Sequence, residues 1–480
     1  MEAVFEAVEK INSSVNGVVW GPPMLILFLL VGVYMSVGTG FFQIFHFGYT
    51  IKNTILKIFK NKSVVKTEDK KAISQFQALA TALAATVGTG NIVGVATAIT
   101  AGGAGAVFWM WVSAFFGMMT SYSENVLGIF FRHKNENGDW VGGPMYYIEK
   151  GLNKKWLSVI FSIFCLFASF GIGSIAQVNG ISTAMTKSFN VPGFVTGIVV
   201  CCLVGVIILG GLKRIVNVTE KFVPIMALFY ITGTLIVIIA NYKNIGSAFA
   251  EIFSSAFSFK SVGSGVFGYA ITRSMKFGVA RGVFSNEAGL GSSVMVHSSS
   301  DTKEPVVQGM WGIFQVFFDT VIICTLTALT ILTTGAQKQA GLEGVNITMY
   351  AFESVMGKAG EYIVSIGIIM FAFSTILGWS VYGNRAAEYL GGRKLKFIYR
   401  IVFLAMVFIG SVSSVQLVWD LSDTFNGLMA IPNLIGVIFL SGTVFKITKN
   451  YKQRKMQGKN ISPLISFHQS NLKTFLSEEK

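Results

Sequence analysis

Two apolar stretches of this chain carry residues that a lipid-facing helix would not tolerate cheaply. The first runs Thr86-Val87-Gly88-Thr89-Gly90-Asn91 inside an alanine-rich segment (Ala78, Ala80, Ala82, Ala84, Ala85). Glycines two apart can unwind a helix, and unwinding frees backbone N–H groups at the start of the second half-helix, a positive dipole end suited to a carboxylate. The second runs from Phe277 to Gly291, interrupted by glycine and charged at Arg281 and Glu287. Unwound carbonyls near Phe277, Gly278, Val279 and Ala280 suit an ammonium group without any side-chain charge. A third feature is Ser374-Thr375 in Ala372–Trp379. Adjacent hydroxyls at a membrane midplane are oxygen ligands for a hard cation, the alternative being a bond back to their own helix carbonyls.

Other side chains add to these. The amides Asn91 and Gln177 can contact a substrate or join helices. Bulky Phe170 and Trp379 can close a pocket left open by Ala85 and Thr89, which favours a small ligand. Arg281 and Glu287, read as cytoplasmic to the second break, either form an inner gate or pair structurally, and Glu124 and Arg273 are similar cases. Asp319 is the candidate for a protonatable group, or else a hydrogen-bonded structural carboxylate. Cys165, Cys201, Cys202 and Cys324 all lie in apolar stretches, and His46, His133, His297 and His468 are scattered singly. Neither set has the spacing of a disulfide framework or a metal site.

The elements that position these residues are membrane spans. Of 480 residues, 52% are hydrophobic and 13% charged, against roughly 25% charged in a soluble chain. Eleven apolar runs are predicted to span the bilayer: 19–42, 74–101, 105–131, 156–186, 191–211, 218–241, 264–296, 305–334, 358–389, 396–412 and 414–446. The net charge of +15 does not point to nucleic acid, because Lys and Arg concentrate between the runs. Lys52, Lys57, Lys60, Lys62, Lys66, Lys70 and Lys71 follow span 1; Lys449, Lys452, Arg454, Lys455 and Lys459 follow span 11. Both segments are therefore expected in the cytoplasm. An odd number of spans then puts the N-terminus, with Glu2, Glu6 and Glu9, outside. Met1–Asn16 is acidic and polar, so no cleavable signal peptide is read there. The segment Trp140–Leu152 reads as a short interfacial helix at the cytoplasmic face.

The expected fold is an all-α polytopic membrane protein. Spans 2 and 7 are the first and sixth of ten helices that follow a solitary leader, so both discontinuous helices fall at corresponding positions of two five-helix halves. Five helices per half makes the halves inverted. The segments are then 1–18 (extracellular), 19–42 (leading helix), 43–73 (basic cytoplasmic loop), 74–241 (first repeat), 242–263 (extracellular connector), 264–446 (second repeat) and 447–480 (basic cytoplasmic tail). This is the pattern of an inverted-repeat transporter with its substrate at the midplane. Gly102, Gly103, Gly105, Gly171 and Gly173 read instead as packing glycines. A channel would show a repeated filter or charged rings. An enzyme or an ATP-driven pump would need motifs absent from the sequence, such as His-Glu-x-x-His, Gly-x-Ser-x-Gly or a Walker loop.

The strings Gly88–Ala96, Gly142-Gly143-Pro144-Met145-Tyr146-Tyr147 and Arg281–Gly291 resemble the signatures of the alanine or glycine:cation symporter family, the sodium:alanine symporters, and the likeness extends from about Val19 to Lys446. It implies a leucine-transporter-like fold in the cell membrane and sodium- or proton-driven uptake of small neutral amino acids, with no cofactor beyond the coupling ion. An amino-acid-permeable channel and a proton-coupled exchanger of the same fold are the alternatives. The resemblance implies that Ser374 and Thr375, with backbone oxygens near Thr86 and Thr89, hold sodium. The substrate set is then Thr86, Gly88, Thr89, Gly90, Asn91, Phe170, Gln177, Phe277, Gly278, Val279, Ala280 and Trp379. Oligomeric state is not read from the sequence.

Overall fold

The computed structural model describes residues 2–69, 71–257, 267–412 and 416–468. Lys70, the head of span 7 at 264–266, residues 414–415 at the head of span 11, the end of the connector and residues 469–480 of the tail lie outside the described residues. Helix occupies most of each range expected to span within the described residues, and the range 264–296 leaves helix at 287–293. The helices used below are α1 (Glu2–Val19), α2 (Pro22–Gly38), α3 (Gln75–Thr86), α4 (Gly90–Gly102), α5 (Gly105–Phe131), α6 (Pro144–Leu152), α7 (Lys155–Phe189), α8 (Gly193–Leu209), α9 (Gly211–Ala240), α10 (Ile245–Ala256), α11 (Phe267–Asn286), α12 (Pro305–Thr334), α13 (Val345–Met356), α14 (Lys358–Val412), α15 (Gln416–Phe439) and α16 (Ser441–Tyr451).

Local sequence explains where these helices start and break. Ser74 accepts the Gln77 N–H while the Gln77 side chain accepts the Ser74 N–H, a capping box that starts α3. Proline occupies the first turn of α2, α6 and α12, where no intrahelical N–H partner is lost. Within α14 the helix breaks at Gly391 and at Gly392, whose φ is +61°. That break separates spans 9 and 10. α3 and α4 are bent by 53° across Val87–Thr89, and α5 and α12 occupy 105–131 and 305–334, the ranges expected for spans 3 and 8.

Burial follows the inverted logic of a membrane protein. Ile198, Leu203, Val206 and Leu209 on α8, and Ile225, Leu228 and Ile239 on α9, are exposed, whereas Asn91, Glu124, Gln308, Gln315 and Asp319 are fully buried. Apolar side chains outside and hydrogen-bonded polar groups inside suit a hydrocarbon solvent. α14 packs against α3, α7, α8 and α9, and α5 packs against α2, α11 and α12, so both interrupted segments sit between these walls.

Two expectations are corrected and one is extended. The basic segment 43–73 is not an open loop, since it folds into helical turns at Phe42–Phe45, Phe47–Asn53 and Ile55–Ile58. The connector after α9 contains α10. Within Trp140–Leu152 the expected short helix forms as α6, preceded by β2 (Trp140–Val141), which pairs antiparallel with β1 (His133–Lys134), but Tyr146 and Tyr147 are buried rather than set at a headgroup interface. Tyr147 donates its hydroxyl to Asn433.

Candidate functional site

The first break is held open by the chain's own polar groups. After Thr86 the backbone leaves the helix at Val87, with φ −77° and ψ 86°, and resumes in a wide turn at Gly90–Gly94. Asn91 accepts the Gly88 N–H through Oδ1 at 2.9 Å, so the amide caps the resumed helix. Its Nδ2 donates to Asp319 Oδ1 at 2.8 Å. Asp319 Oδ2 in turn accepts from Ser285 at 2.8 Å and Thr320 at 2.9 Å. One buried carboxylate on α12 thus ties the first interrupted segment to α11.

The second break lies further along than the sequence suggested. α11 runs through Phe277, Gly278, Val279 and Ala280 as regular helix, so their carbonyls serve the helix ladder. Gly278 is a close-approach residue: a Cβ there would come within 2.3 Å of the Ala106 carbonyl oxygen. The chain departs from helix at Glu287, Gly289 and Gly291, with φ of +58°, +95° and +74°. Gly289 and Gly291 donate their N–H groups to Glu124 Oε1, both at 3.1 Å, and Asn433 Nδ2 donates to the same oxygen at 2.5 Å. The anion-binding concavity created by this irregular backbone is filled internally by Glu124.

Both breaks open on one cavity of about 10 Å³, lined by Ala85, Thr86, Gly88, Thr89, Gly90, Ile172, Gln177, Phe284, Ser285, Glu287, Thr375 and Trp379. That is room for roughly one water or a small ion. Thr375 Oγ1 sits 2.5 Å from where a Gly88 Cβ would be, and it donates to the Phe371 and Ala84 carbonyls at 2.9 and 3.2 Å. Glycine at position 88 is therefore what lets the hydroxyl reach the unwound backbone. Thr89 Oγ1 donates to Gln177 Oε1 at 3.2 Å, and Gln177 Nε2 donates to the Ile172 carbonyl at 3.0 Å. Glu287 Oε2 accepts from Ser292 at 2.5 Å, with Trp379 and Tyr382 beside the carboxylate.

A larger cavity of about 570 Å³ adjoins this one. Thr89, Gly90, Ile172 and Phe284 line both, so the Phe284 ring stands on the partition. Val93, Thr97, Lys187, Arg281, Asn346, Asp420 and Asp423 line the wider part.

Of the residues named from sequence, Thr86, Gly88, Thr89, Gly90, Gln177, Thr375, Trp379 and Glu287 converge on the small cavity. Asn91 stands behind it as the cap. Ser374 faces away, donating to the Phe371 carbonyl at 2.8 Å and to Met226 Sδ at 3.2 Å, the back-bonded arrangement. Phe170 packs against Tyr399 with centroids 5.3 Å apart and does not line the cavity. Arg281 precedes the second break instead of following it, lines the large cavity, and sits over the Phe284 ring at 5.6 Å. It forms no ion pair with Glu287 among the described residues.

Sequence reading missed Ile172, Phe284 and Ser285. Phe284 and Ser285 lie within the quoted string, directly before the break. Ile172 stands between Gly171 and Gly173, a second Gly-x-Gly that opens a wide helical turn at Gly171–Ile175. A Cβ at Gly173 would come within 2.5 Å of Trp379 Cβ, and one at Gly171 would collide with Ser422. Those two glycines do pack helices closely.

The overall fold is similar to that of a solved membrane transporter. It matches a Na+-coupled sialic acid symporter captured in a substrate-bound outward-open state, with a TM-score of 0.54 at 12% identity over 96% of this chain and 94% of that one. Residues 5–464 match the model of the sodium:alanine symporter family, to which the chain belongs. It is 45% identical to the sodium/alanine symporter AgcS of Methanococcus maripaludis over 93% of this chain and 98% of the relative. It is 37% identical to a probable sodium/glutamine symporter, GlnT, of Bacillus subtilis, over 95% and 93%. The protein is thus a multi-pass membrane transporter for cation-coupled amino-acid symport, not an enzyme.

Proposed function

We propose that this protein couples inward sodium movement to the uptake of small neutral amino acids such as alanine or glycine, by alternating access across the cell membrane. The observation that carries the reading is the convergence of both broken segments, Thr375 and Trp379 on one ion-sized cavity at the inner end of a much larger one. A sodium ion is held in the small cavity by Thr375 Oγ1 and by backbone oxygens of the break at Thr86–Thr89, with Ser374 outside the shell. The amino acid binds where the two cavities meet, its carboxylate toward the N–H groups of the resumed helix at Thr89–Gly90 and its side chain toward Ile172, Phe284 and Trp379. The Glu287 carboxylate, rather than carbonyls at 277–280, receives the ammonium.

The architecture belonging to this reading is a leading helix followed by two inverted five-helix repeats, 74–241 and 264–446, eleven crossings in all. The N-terminus lies outside and the basic segments 43–73 and 447–480 in the cytoplasm. The large cavity, along the start of α4 (Gly90 to Thr97) and the far end of α7 (to Lys187), then faces outward and makes this an outward-facing state. Proton coupling through Asp319 is the alternative. The three donors already on Asp319 favour a structural role for it. Uptake of labelled alanine into proteoliposomes under an imposed sodium gradient, or an imposed proton gradient, tests the proposal. Accumulation driven by sodium alone is expected, and accumulation driven by protons alone overturns it.

A further inference from the structure

A second enclosed space lies at the opposite end of the bundle from the large cavity. It measures about 390 Å³ and is formed where four connections meet: the approach to α3, the β1–β2 hairpin, the α8–α9 junction and the break inside α14. Its chemistry is one-sided. Lys71, Lys213, Arg385, Lys396 and Arg400 line it against a single lining carboxylate, Asp139.

The internal pairing does not neutralise this group. Glu388, just behind the wall, is shared by Arg385 at 3.1 Å and Lys396 at 2.9 Å, and Asp139 stands 3.8 Å from Lys71. Among the described residues Lys213 donates to the Ala72 carbonyl alone, and Arg400 uses Nε on Asn384 Oδ1 at 3.0 Å with no carboxylate on its forked terminal nitrogens. Lys213 and Arg400 therefore face a partly enclosed space without an ion pair of their own among the described residues, and a guanidinium fork with an ammonium in the same lining matches the chemistry of a phosphate group.

The entrance supports the same ligand class. Gly210 and Gly211 form one lip, and a Cβ at Gly211 would meet nothing within 4 Å. Val206 and Leu209, 63% and 59% exposed, lead down from that lip along α8 as a lipid-facing surface. An anionic group attached to an acyl chain has a path in from the bilayer as well as from water.

We propose that this basic cavity binds a phosphate group, as an anionic phospholipid headgroup or as free phosphate, at the face assigned above to the cytoplasm. By holding Lys71 to Lys213 and Arg400, the ligand ties the segment leading into α3 to α9 and α14. The test is direct binding to the purified full-length transporter in detergent, followed by native mass spectrometry. The probes are phosphatidylglycerol, phosphatidylcholine and inorganic phosphate. Each removed charge is expected to weaken phosphatidylglycerol binding about fivefold, so that Lys213→Gln with Arg400→Gln weakens it roughly 25-fold. Arg400→Lys keeps the charge but loses the guanidinium fork, so it should bind phosphatidylglycerol more tightly than Arg400→Gln and less tightly than wild type. Lys243→Gln, the same charge change at the far end of α9, should leave binding at the wild-type level. Competition by inorganic phosphate would assign the site to the phosphate itself; its failure to compete, with phosphatidylglycerol still bound, would assign it to the lipid. Equal binding of phosphatidylcholine, or unchanged phosphatidylglycerol binding in the double variant, would overturn the proposal.

Discussion

At the scale of single residues, the two glycines of the first break have different duties. A Cβ at Gly88 would stand 2.5 Å from Thr375 Oγ1, well inside contact, whereas at Gly90 the nearest atom is a Phe284 ring carbon at 3.4 Å. Gly88→Ala is therefore expected to push the hydroxyl out of the small cavity and raise the sodium concentration for half-maximal uptake at least tenfold. Gly90→Ala should change it only a few-fold. A sodium titration of uptake for the two variants, made side by side, checks this, and equal effects would count against Thr375 as a cation ligand. The adjacent hydroxyls separate in the same way. Thr375→Val keeps shape and removes the oxygen, so it should weaken sodium dependence, while Ser374→Ala, which loses only a back-bond and a contact to Met226, should leave it within about twofold. A Ser374 effect as large as that of Thr375 would show that the pair acts together.

At the scale of elements, the sequence disclosed where the helices must break more reliably than where their polar groups point. Gly88-Thr89-Gly90 named the first break because two glycines and a capping amide sit within four residues. The second was placed too early, at Phe277–Ala280, because Gly278 and Gly282 look like interruptions. Gly278 in fact only admits α5, and the unwound turn depends on Glu124 from α5 and Asn433 from α15, partners remote in sequence. Glu124→Gln should therefore loosen that turn: the Oε2 position has no hydrogen-bond partner, so the new NH2 group would be buried there without an acceptor, and a buried unsatisfied donor costs about 1 to 3 kcal/mol. Thermal midpoints in detergent should fall by several degrees, together with uptake. The loop between α11 and α12 offers a pH test of another kind. Burial raises the Asp301 carboxyl to about 6, against opposing help from Thr67 and Arg132, so the folded state holds this proton more tightly than the unfolded chain. Its contribution to stability is full below about pH 4 and is lost as pH rises through 6. Burial lowers His133 to about 4, which acts in the opposite sense as pH falls below 6.5. The difference between wild type and Asp301→Asn isolates the first: the variant's midpoint should gain on wild type between pH 5 and pH 7, and a constant gap would remove Asp301 from the balance.

At the scale of the whole molecule, the two cavities impose a geometric condition on transport. The space where both breaks meet, about 10 Å³, admits an ion or a water but no amino acid, while the adjoining space of about 570 Å³ exceeds what alanine needs many times over. Thr89 and Gly90 already open on the larger cavity, but substrate can reach Gly88 and Trp379 only if the partition carrying Phe284 moves, and closing over substrate must shrink the larger cavity. Thr97 and Asn346 line that cavity away from the partition, so a cysteine at either reports its access to water. The natural cysteines interfere little, because Cys165 and Cys324 are buried and only Cys202 is exposed, on lipid-facing α8. With Cys202→Ser as background, Thr97→Cys and Asn346→Cys should react with a membrane-impermeant thiol reagent added outside, faster in sodium alone than with sodium and alanine together. Phe284→Ala joins the two spaces and should weaken that protection, because ligand would no longer seat against the ring, and should also admit larger neutral amino acids such as glutamine in competition assays. Reaction only from the inside would reverse the assigned orientation. Equal rates with and without alanine would mean that the large cavity does not close over substrate, and that the partition at Phe284 is ordinary packing.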